Sequence, residues 1–229
     1  MKDPTWKRRL TGIAVAGPLS LVLSMALAPG DSQAGIFRDV LVSTGLSKPP
    51  EPTAADKARG FPRHGFACCN LHYSKDWIND GNYAELPMIS AGTPIEVVTY
   101  GKDRAYVNIE GKPMRLGHEY GRDQESLDQW VSKIVVAEDP RPRIKSYPKD
   151  VQDAIYEGKL VIGMTREQVI TAIGYPLTSE NVALDQPVWR MWRSTHGEYD
   201  LNFRSDGRLG SVTGDGDTTV LMLYHPPQQ

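Results

Sequence analysis

The sequence predicts an α+β protein with two small domains, and two observations lead to that prediction. Between residues 66 and 137, short runs of strand-forming residues are separated by glycine-containing turns, a pattern typical of a small, strongly bent antiparallel β-barrel. Beyond residue 149, apolar residues first recur at helical spacing and then alternate at strand spacing. With 229 residues, 40% of them hydrophobic and 24% charged, the chain can bury a core.

Residues 1–34 have the pattern of a bacterial-type export signal. The basic residues Lys7–Arg9 precede an apolar run from Leu10 to Ala28, and small residues occupy the positions one and three before Gly35. We therefore expect a signal peptide cleaved after about Ala34 and a mature protein in the periplasm. An uncleaved membrane anchor is the alternative, because the apolar run is near spanning length. No cysteine lies near the cleavage site, so a lipobox is absent.

An extended tether and then the β domain are expected after the signal. Residues 35–65 contain three prolines close together and few large apolar residues once past Leu46, which favours a tether over a packed unit. Residues 66–137 form the predicted β domain, with one helical turn at Ser126–Trp130. Its expected strands are Pro87–Ser90, Ile95–Tyr100, Ala105–Ile109, Met114–Leu116 and Ile134–Val136.

Prolines mark residues 138–149 as an interdomain linker, because proline neither donates to a strand ladder nor continues a helix. The C-terminal domain is assigned to residues 150–229. Its first helix is expected from about Lys149 to Glu157, ending at Gly158.

A second helix and a set of strands follow. Thr165 can cap this helix in a capping box with Gln168, and Gly174 should stop it. The expected strands are Val188–Arg193, Tyr199–Arg204, Arg208–Val212 and, near the end of the chain, Val220–Tyr224. In the second of these strands apolar and polar residues alternate, so one face should be buried and the other wet.

Three stretches of the C-terminal region carry a recognisable pattern: Gly163–Val169, Ile173–Pro176 and Val188–Trp192. They resemble the BamE/SmpA (OmlA) family of outer-membrane assembly factors over roughly residues 150–213. The resemblance implies two helices packed on a three-stranded antiparallel sheet and a role in envelope assembly. The chain departs from the family's best-known members, which are lipoproteins, in lacking the anchoring cysteine and in carrying an extra N-terminal domain. By its strand spacing, that extra domain resembles the SH3-like barrels of bacterial envelope proteins.

The charge of the chain excludes one class of partner. The formal net charge is −2, and the first 34 residues contain four basic and two acidic side chains, so their removal leaves −2 − 2 = −4. Nucleic-acid affinity comes mainly from Lys and Arg that neutralise phosphates. We therefore expect no nucleic-acid partner.

Both cysteines of the chain, Cys68 and Cys69, are adjacent. Export would favour a vicinal disulfide, although neighbouring Cα atoms, about 3.8 Å apart, lie closer than relaxed disulfides prefer. Buried thiols or a bridge to another chain are the alternatives. Adjacent cysteines converge poorly on a tetrahedral metal, even with His72 close by and His64 and His118 in the same domain, so no metal is predicted. A thiol–disulfide enzyme would favour Cys-x-x-Cys spacing.

Binding is the function that the sequence favours. Trp189 and Trp192 are an odd number of residues apart and should lie on opposite faces of their strand, with one of them in the core. The other is a candidate protein-docking anchor, and burial at a domain boundary is the alternative. We expect a non-catalytic periplasmic scaffold or accessory factor in outer-membrane or cell-envelope assembly, with no cofactor and with envelope or outer-membrane proteins as partners. The alternatives are a cell-wall module that binds peptidoglycan and, third, a redox-active vicinal dithiol protein. Short basic segments at Lys102–Arg104 and Arg141–Arg143 could contact anionic lipid or cell-wall polymer.

Overall fold

A computed structural model describes residues 49–227, so the predicted export signal and the first part of the predicted tether lie outside the described residues. Within residues 49–227 the chain is a mixed α+β protein. The helices are α1 (Ala54–Ala58), α2 (Leu127–Ile134), α3 (Arg141–Ile144), α4 (Lys149–Glu157), α5 (Arg166–Ile173) and α6 (Gly216–Met222). The strands are β1 (Arg63–Ala67), β2 (Leu71–His72), β3 (Trp77–Asn79), β4 (Met88–Ile89), β5 (Pro94–Tyr100), β6 (Arg104–Ile109), β7 (Lys112–Gly117), β8 (Val135–Val136), β9 (Val188–Trp192), β10 (Glu198–Phe203) and β11 (Leu209–Gly214). None of these helices has the length and apolar character needed to cross a membrane.

The largest sheet is curled and has six strands in the order β3-β7-β6-β5-β1-β8. Its neighbours are antiparallel except β3 and β7, which run parallel, so the sheet differs from the wholly antiparallel barrel that the sequence predicts. The sequence gives little sign of β3, because Ile78 is its one fully buried residue and a three-residue strand has no measurable period. Strands β2 and β4 form a separate two-stranded ribbon.

A helix lies within the part of the predicted tether that the structure describes. Thr53 and Asp56 form a capping box at the start of α1. The buried carboxylate of Asp56 also accepts a hydrogen bond from the Thr99 hydroxyl on β5 at 2.7 Å. The hydrogen bonds from Thr99 and then Thr53 hold the pKa of Asp56 well below its usual range. The segment is therefore anchored to the sheet at this point and is not extended throughout.

The C-terminal region contains the helices and the sheet at the expected places. Helix α4 has the predicted bounds, and Thr165 and Gln168 form the predicted capping box of α5. Both helices share one hydrophobic core with the three-stranded antiparallel sheet, in the order β11-β10-β9. Along β10 the side chains alternate between buried and partly exposed, as their sequence pattern indicates. Ile170 packs against this core and also against the core of the six-stranded sheet.

Two local predictions were wrong. Val220–Tyr224 is not a strand, because Asp215 accepts a hydrogen bond from the Thr218 amide at 2.6 Å and starts helix α6 there instead. Asp215 is thus a helix cap. The single turn expected at Ser126–Trp130 extends to two turns in α2, so Ile134 ends a helix and β8 begins after it. Within the predicted linker lies α3, whose Ile144 is fully buried in the C-terminal core.

Candidate functional site

Two buried asparagines fasten the N-terminal β region to helices α4 and α5. The side-chain amide of Asn70 donates to the carbonyl oxygens of Ile155 at 2.6 Å and Ala172 at 2.8 Å. Its Oδ1 accepts from the Ala91 amide at 2.9 Å. Every hydrogen-bonding position used here is buried, so the contact specifies one arrangement of the two regions.

Asn82 completes this buried amide junction, which we define as Asn70 and Asn82. Asn82 Oδ1 accepts from the backbone N–H of His72 at 2.7 Å, and Nδ2 donates to the Asn70 carbonyl at 3.1 Å and the Ile173 carbonyl at 2.8 Å. The Ile173 carbonyl lies at the end of α5, where helices leave acceptors without intrahelical partners. Asn82 therefore caps a helix belonging to the other region of the fold.

Cys68 and Cys69 directly precede this junction. The structure joins them in a vicinal disulfide that is buried in the core of the six-stranded sheet. The nearby His72 instead places Nδ1 2.8 Å from the Leu86 carbonyl, and burial lowers its pKa. Among residues 49–227 no group of three or more His, Cys, Asp or Glu side chains is arranged to hold a metal ion.

The two tryptophans of β9 lie on opposite faces, as predicted. Trp189 is fully buried and packs edge-to-face on Phe203, with ring centroids 4.6 Å apart. Trp192 is half-buried, and its indole N–H donates to Glu180 at 2.9 Å. Trp189 is thus a core residue and Trp192 alone stays available as a docking anchor.

The outer edge of β9 is partly closed by a side chain. Buried Asn181 accepts from the Arg190 amide at 2.8 Å and donates to the Arg190 carbonyl at 2.9 Å, which reproduces the pair of bonds that a neighbouring strand would make. An incoming peptide therefore finds the middle of this edge already paired.

A second surface gathers aromatic side chains that the sequence analysis missed. We call it the aromatic face and define it by Trp77, Tyr83 and Tyr120. Trp77 packs so closely on Gly117 of β7 that a Cβ there would meet the indole ring closer than 3.0 Å. The guanidinium groups of Arg104 and Arg115 lie 5.3 Å and 4.9 Å from the Trp77 ring. Such distances allow cation–π attraction.

The two tyrosines of the aromatic face contact each other directly. The Tyr83 hydroxyl donates to the Tyr120 hydroxyl at 3.0 Å, and the ring centroids are 6.4 Å apart. Partial burial, followed by this hydrogen bond, raises the pKa of Tyr83 above its ordinary value. Tyr120 keeps 46% of its surface exposed, so the pair offers an ordered aromatic surface to solvent.

Glu119 links Trp77 to the rest of the face. Its carboxylate accepts from the Trp77 indole N–H at 3.3 Å and from the Asn79 amide at 3.2 Å. Trp77 and Asn79 are two residues apart on β3 and so project to the same side of the sheet. The Glu119 carboxylate therefore fixes the positions of the Trp77 indole and the Asn79 amide relative to each other.

A buried carboxylate holds the loop that carries Tyr120. Asp80 accepts hydrogen bonds from the consecutive backbone amides of residues 119–121 at 2.8 to 3.2 Å. His118 Nδ1 lies 2.8 Å from Asp80 Oδ2, and the His118 ring stacks on Trp130 with centroids 5.2 Å apart. His118 Nε2 lies 3.0 Å from the Glu125 carbonyl. Because these groups are buried and paired, the loop has a fixed shape.

No local pattern in the sequence could have indicated the aromatic face. Its members come from β3, from the loop after β3 and from the loop after β7. The parallel pairing of β3 with β7 brings them together, and that pairing was not predicted. Searches of protein-family models, of curated proteins and of solved structures each found no match to this chain, so the proposals below rest on its own residues.

Proposed function

We propose that this protein is a non-catalytic scaffold or accessory factor of the bacterial cell envelope, and that it binds another protein through the aromatic face. The observation that carries the proposal is the rigid placement of Trp77, Tyr83 and Tyr120 beside two arginines. Trp, Tyr and Arg are the residues most enriched among the side chains that dominate binding energy in protein interfaces.

Preorganisation supports this assignment. Binding normally costs about 0.5–1.5 kcal/mol for each flexible side chain that becomes immobile. On the aromatic face much of that ordering is already present, because Glu119 binds the Trp77 indole, Tyr83 binds Tyr120, and Asp80 holds the loop. Less of the binding free energy is therefore lost in ordering these side chains, and more of it contributes to affinity.

The cellular setting of the proposal comes from the sequence. The export signal expected at residues 1–34 would deliver the chain to the periplasm. The resemblance of residues 150–213 to BamE-like domains, and of the preceding region to SH3-like barrels, suggests outer-membrane or envelope assembly as the process. Under this proposal the C-terminal region, with Trp192 on its sheet, is the second surface for an envelope partner.

Site-specific photocrosslinking in intact cells tests the docking surface. A photoreactive phenylalanine analogue would replace Tyr120 and, as a matched control, Tyr156 of α4; the two tyrosines are 46% and 49% exposed. We expect a discrete adduct with an envelope protein from position 120 and none from position 156. The same analogue at position 192 tests whether the three-stranded sheet is a second docking surface. Equal adducts at 120 and 156, or none at 120, would contradict docking through the aromatic face.

Binding measurements separate a protein partner from the cell wall. We expect Tyr120→Ala to weaken capture of the crosslinked partner by roughly 5- to 30-fold, corresponding to about 1–2 kcal/mol. Tyr156→Ala should leave it unchanged. Co-sedimentation with purified cell-wall sacculi that is lost in the Tyr120→Ala variant would instead assign the face to peptidoglycan and overturn the scaffold proposal.

A further inference from the structure

A cleft of about 360 Å³ lies between the β2–β4 ribbon and the end of the β6–β7 hairpin, and none of the three residues of the aromatic face lines it. Its apolar wall includes Met88, Ile89 and Met114, and its rim includes Lys75, Glu110 and Lys112. Hydroxyl groups from Tyr73, Ser90 and Thr93 also line it. The volume and the mixture of apolar walls with a few polar groups are typical of sites for small ligands.

Two tight turns bring charged side chains to this cleft in an unfavourable backbone conformation. Lys75 has φ +59° in the turn that joins Ser74 to Trp77, and Glu110 has φ +51° in the turn that joins β6 to β7. Glycine or asparagine is the ordinary residue at such positions, because a longer side chain there is sterically disfavoured. Backbone strain of this kind concentrates at ligand sites.

Two lysines and one glutamate supply the charges of the rim, so the rim carries a net positive charge. Among residues 49–227, neither Lys75 nor Lys112 forms an ion pair, and both are exposed. Lysine offers up to three N–H donors and no acceptor, so two free ammonium groups beside an apolar wall favour an anion with an apolar part. The single opposing charge at the rim is Glu110.

We propose that this cleft binds a carboxylate attached to an apolar group, with the carboxylate between Lys75 and Lys112 and the apolar group against Met88, Ile89 and Met114. Methionine side chains adapt to aliphatic chains of differing shape, which suits such a wall. A fatty acid and the C-terminal residue of an apolar peptide both present this chemistry. The proposal does not depend on what the aromatic face binds.

Calorimetry on the full chain with simple probes tests the ligand chemistry. The probes are dodecanoate below its critical micelle concentration, an acetylated Ala-Leu-Leu tripeptide with a free carboxylate, and dodecyltrimethylammonium, which has the same tail as dodecanoate with the opposite charge. We expect saturable binding of dodecanoate, of the tripeptide or of both, and which one binds identifies the source. Binding of neither carboxylate below about 1 mM, or equal binding of the cationic probe, would overturn the proposal.

Variants separate ligand contact from folding. Lys75→Asn removes a rim cation but suits a positive φ, so we expect roughly fivefold weaker carboxylate binding with no loss of melting temperature. Glu110→Asn creates the Asn-Gly pair that this turn favours and removes the opposing charge, so affinity should rise while the melting temperature also rises. Lys102→Asn, in the β5–β6 turn outside the cleft, is the matched control. Equal effects of Lys75→Asn and Lys102→Asn on affinity would refute the assignment.

Discussion

The side-chain amide of Asn82 occupies the space that a Cβ on Gly174 would need: an ideal Cβ there would approach Asn82 Nδ2 closer than 3.0 Å. Gly174 is the residue that stops α5, and its φ of +85° already disfavours a larger side chain. The helix stop expected from the sequence is therefore also a packing site, where the end of one helix meets the buried amide junction.

This arrangement predicts that Gly174→Ala destabilises the protein more than an ordinary helix stop would. Strain at the positive φ should cost about 1 kcal/mol, and displacement of Asn82 should add the loss of a buried hydrogen bond, another 1–2 kcal/mol approximately. Gly163→Ala is the matched control, because Gly163 has φ +98° but no atom within 4 Å of an added Cβ. Urea unfolding would measure both variants. Equal losses of unfolding free energy in the two variants would show that the contact with Asn82 does not contribute to stability.

Asn70→Ala should be among the more damaging single substitutions. It leaves the carbonyl oxygens of Ile155 and Ala172 and the Ala91 amide buried without their side-chain partner, at a cost of about 2–4 kcal/mol. Asn202→Ala removes a surface hydrogen bond to Thr213 and should change the free energy of unfolding by less than about 0.5 kcal/mol. Chemical denaturation at neutral pH compares the two variants.

Stability should fall on mild acidification because of His72. Burial, and to a smaller extent the Lys159 cation, lowers the pKa of His72 below its ordinary 6.5, so the folded protein favours the neutral ring. The contribution of neutral His72 to the free energy of unfolding is complete above pH 6.5. It declines below that pH, by up to about 1.4 kcal/mol per pH unit, since the unfolded chain binds the proton first. This decline continues down to the folded-state pKa.

Urea titrations at pH 7.5 and 5.5 would measure this effect. We expect His72→Gln to remove much of the difference between the two pH values, whereas His64→Gln, at an exposed position on β1, should leave it unchanged. An unaltered pH dependence in the His72→Gln variant would rule out His72 as its source.

Reduction of the Cys68–Cys69 bridge should have little effect on stability. The stabilisation of about 2–4 kcal/mol that disulfides usually give comes largely from closing a loop in the unfolded chain, and adjacent residues enclose none. We expect thermal unfolding with and without a phosphine reductant to differ by only a few degrees, with mass spectrometry after alkylation confirming the thiol state. A large fall in melting temperature would indicate that the bridge orders the neighbouring Asn70.

The sequence predicts the C-terminal region well because its signals are local. The cap at Thr165 and the alternation along β10 are each contained within a few residues, and both are present. Beyond Thr218 the prediction was wrong, since the cap by Asp215 outweighs the β-branched character of the following residues. In the N-terminal region, β5, β6 and β7 were expected, whereas β1, β2 and β3 were not.

The candidate site could not be predicted in the same way. The aromatic face depends on the parallel pairing of β3 with β7, which brings Trp77 to Glu119, next to Tyr120. The buried amide junction depends on contacts between residues as far apart as Asn70 and Ala172. Such contacts leave no periodicity in the chain. Trp189 and Trp192 could be placed on opposite faces because the strand rule acts over three residues, but only the structure shows that Trp189 is the buried one.

The pairing of Asn181 with β9 affects the tendency of the protein to aggregate with other polypeptides. Under the proposed periplasmic location, open sheet edges would meet newly exported, still unfolded chains and could template cross-β growth. By pairing with Arg190, one amide denies such chains a template at the centre of β9. Deamidation converts asparagine to aspartate, and at position 181 it would remove the donor to the Arg190 carbonyl. That carbonyl would then be open to pairing with another chain, which favours aggregation through this edge.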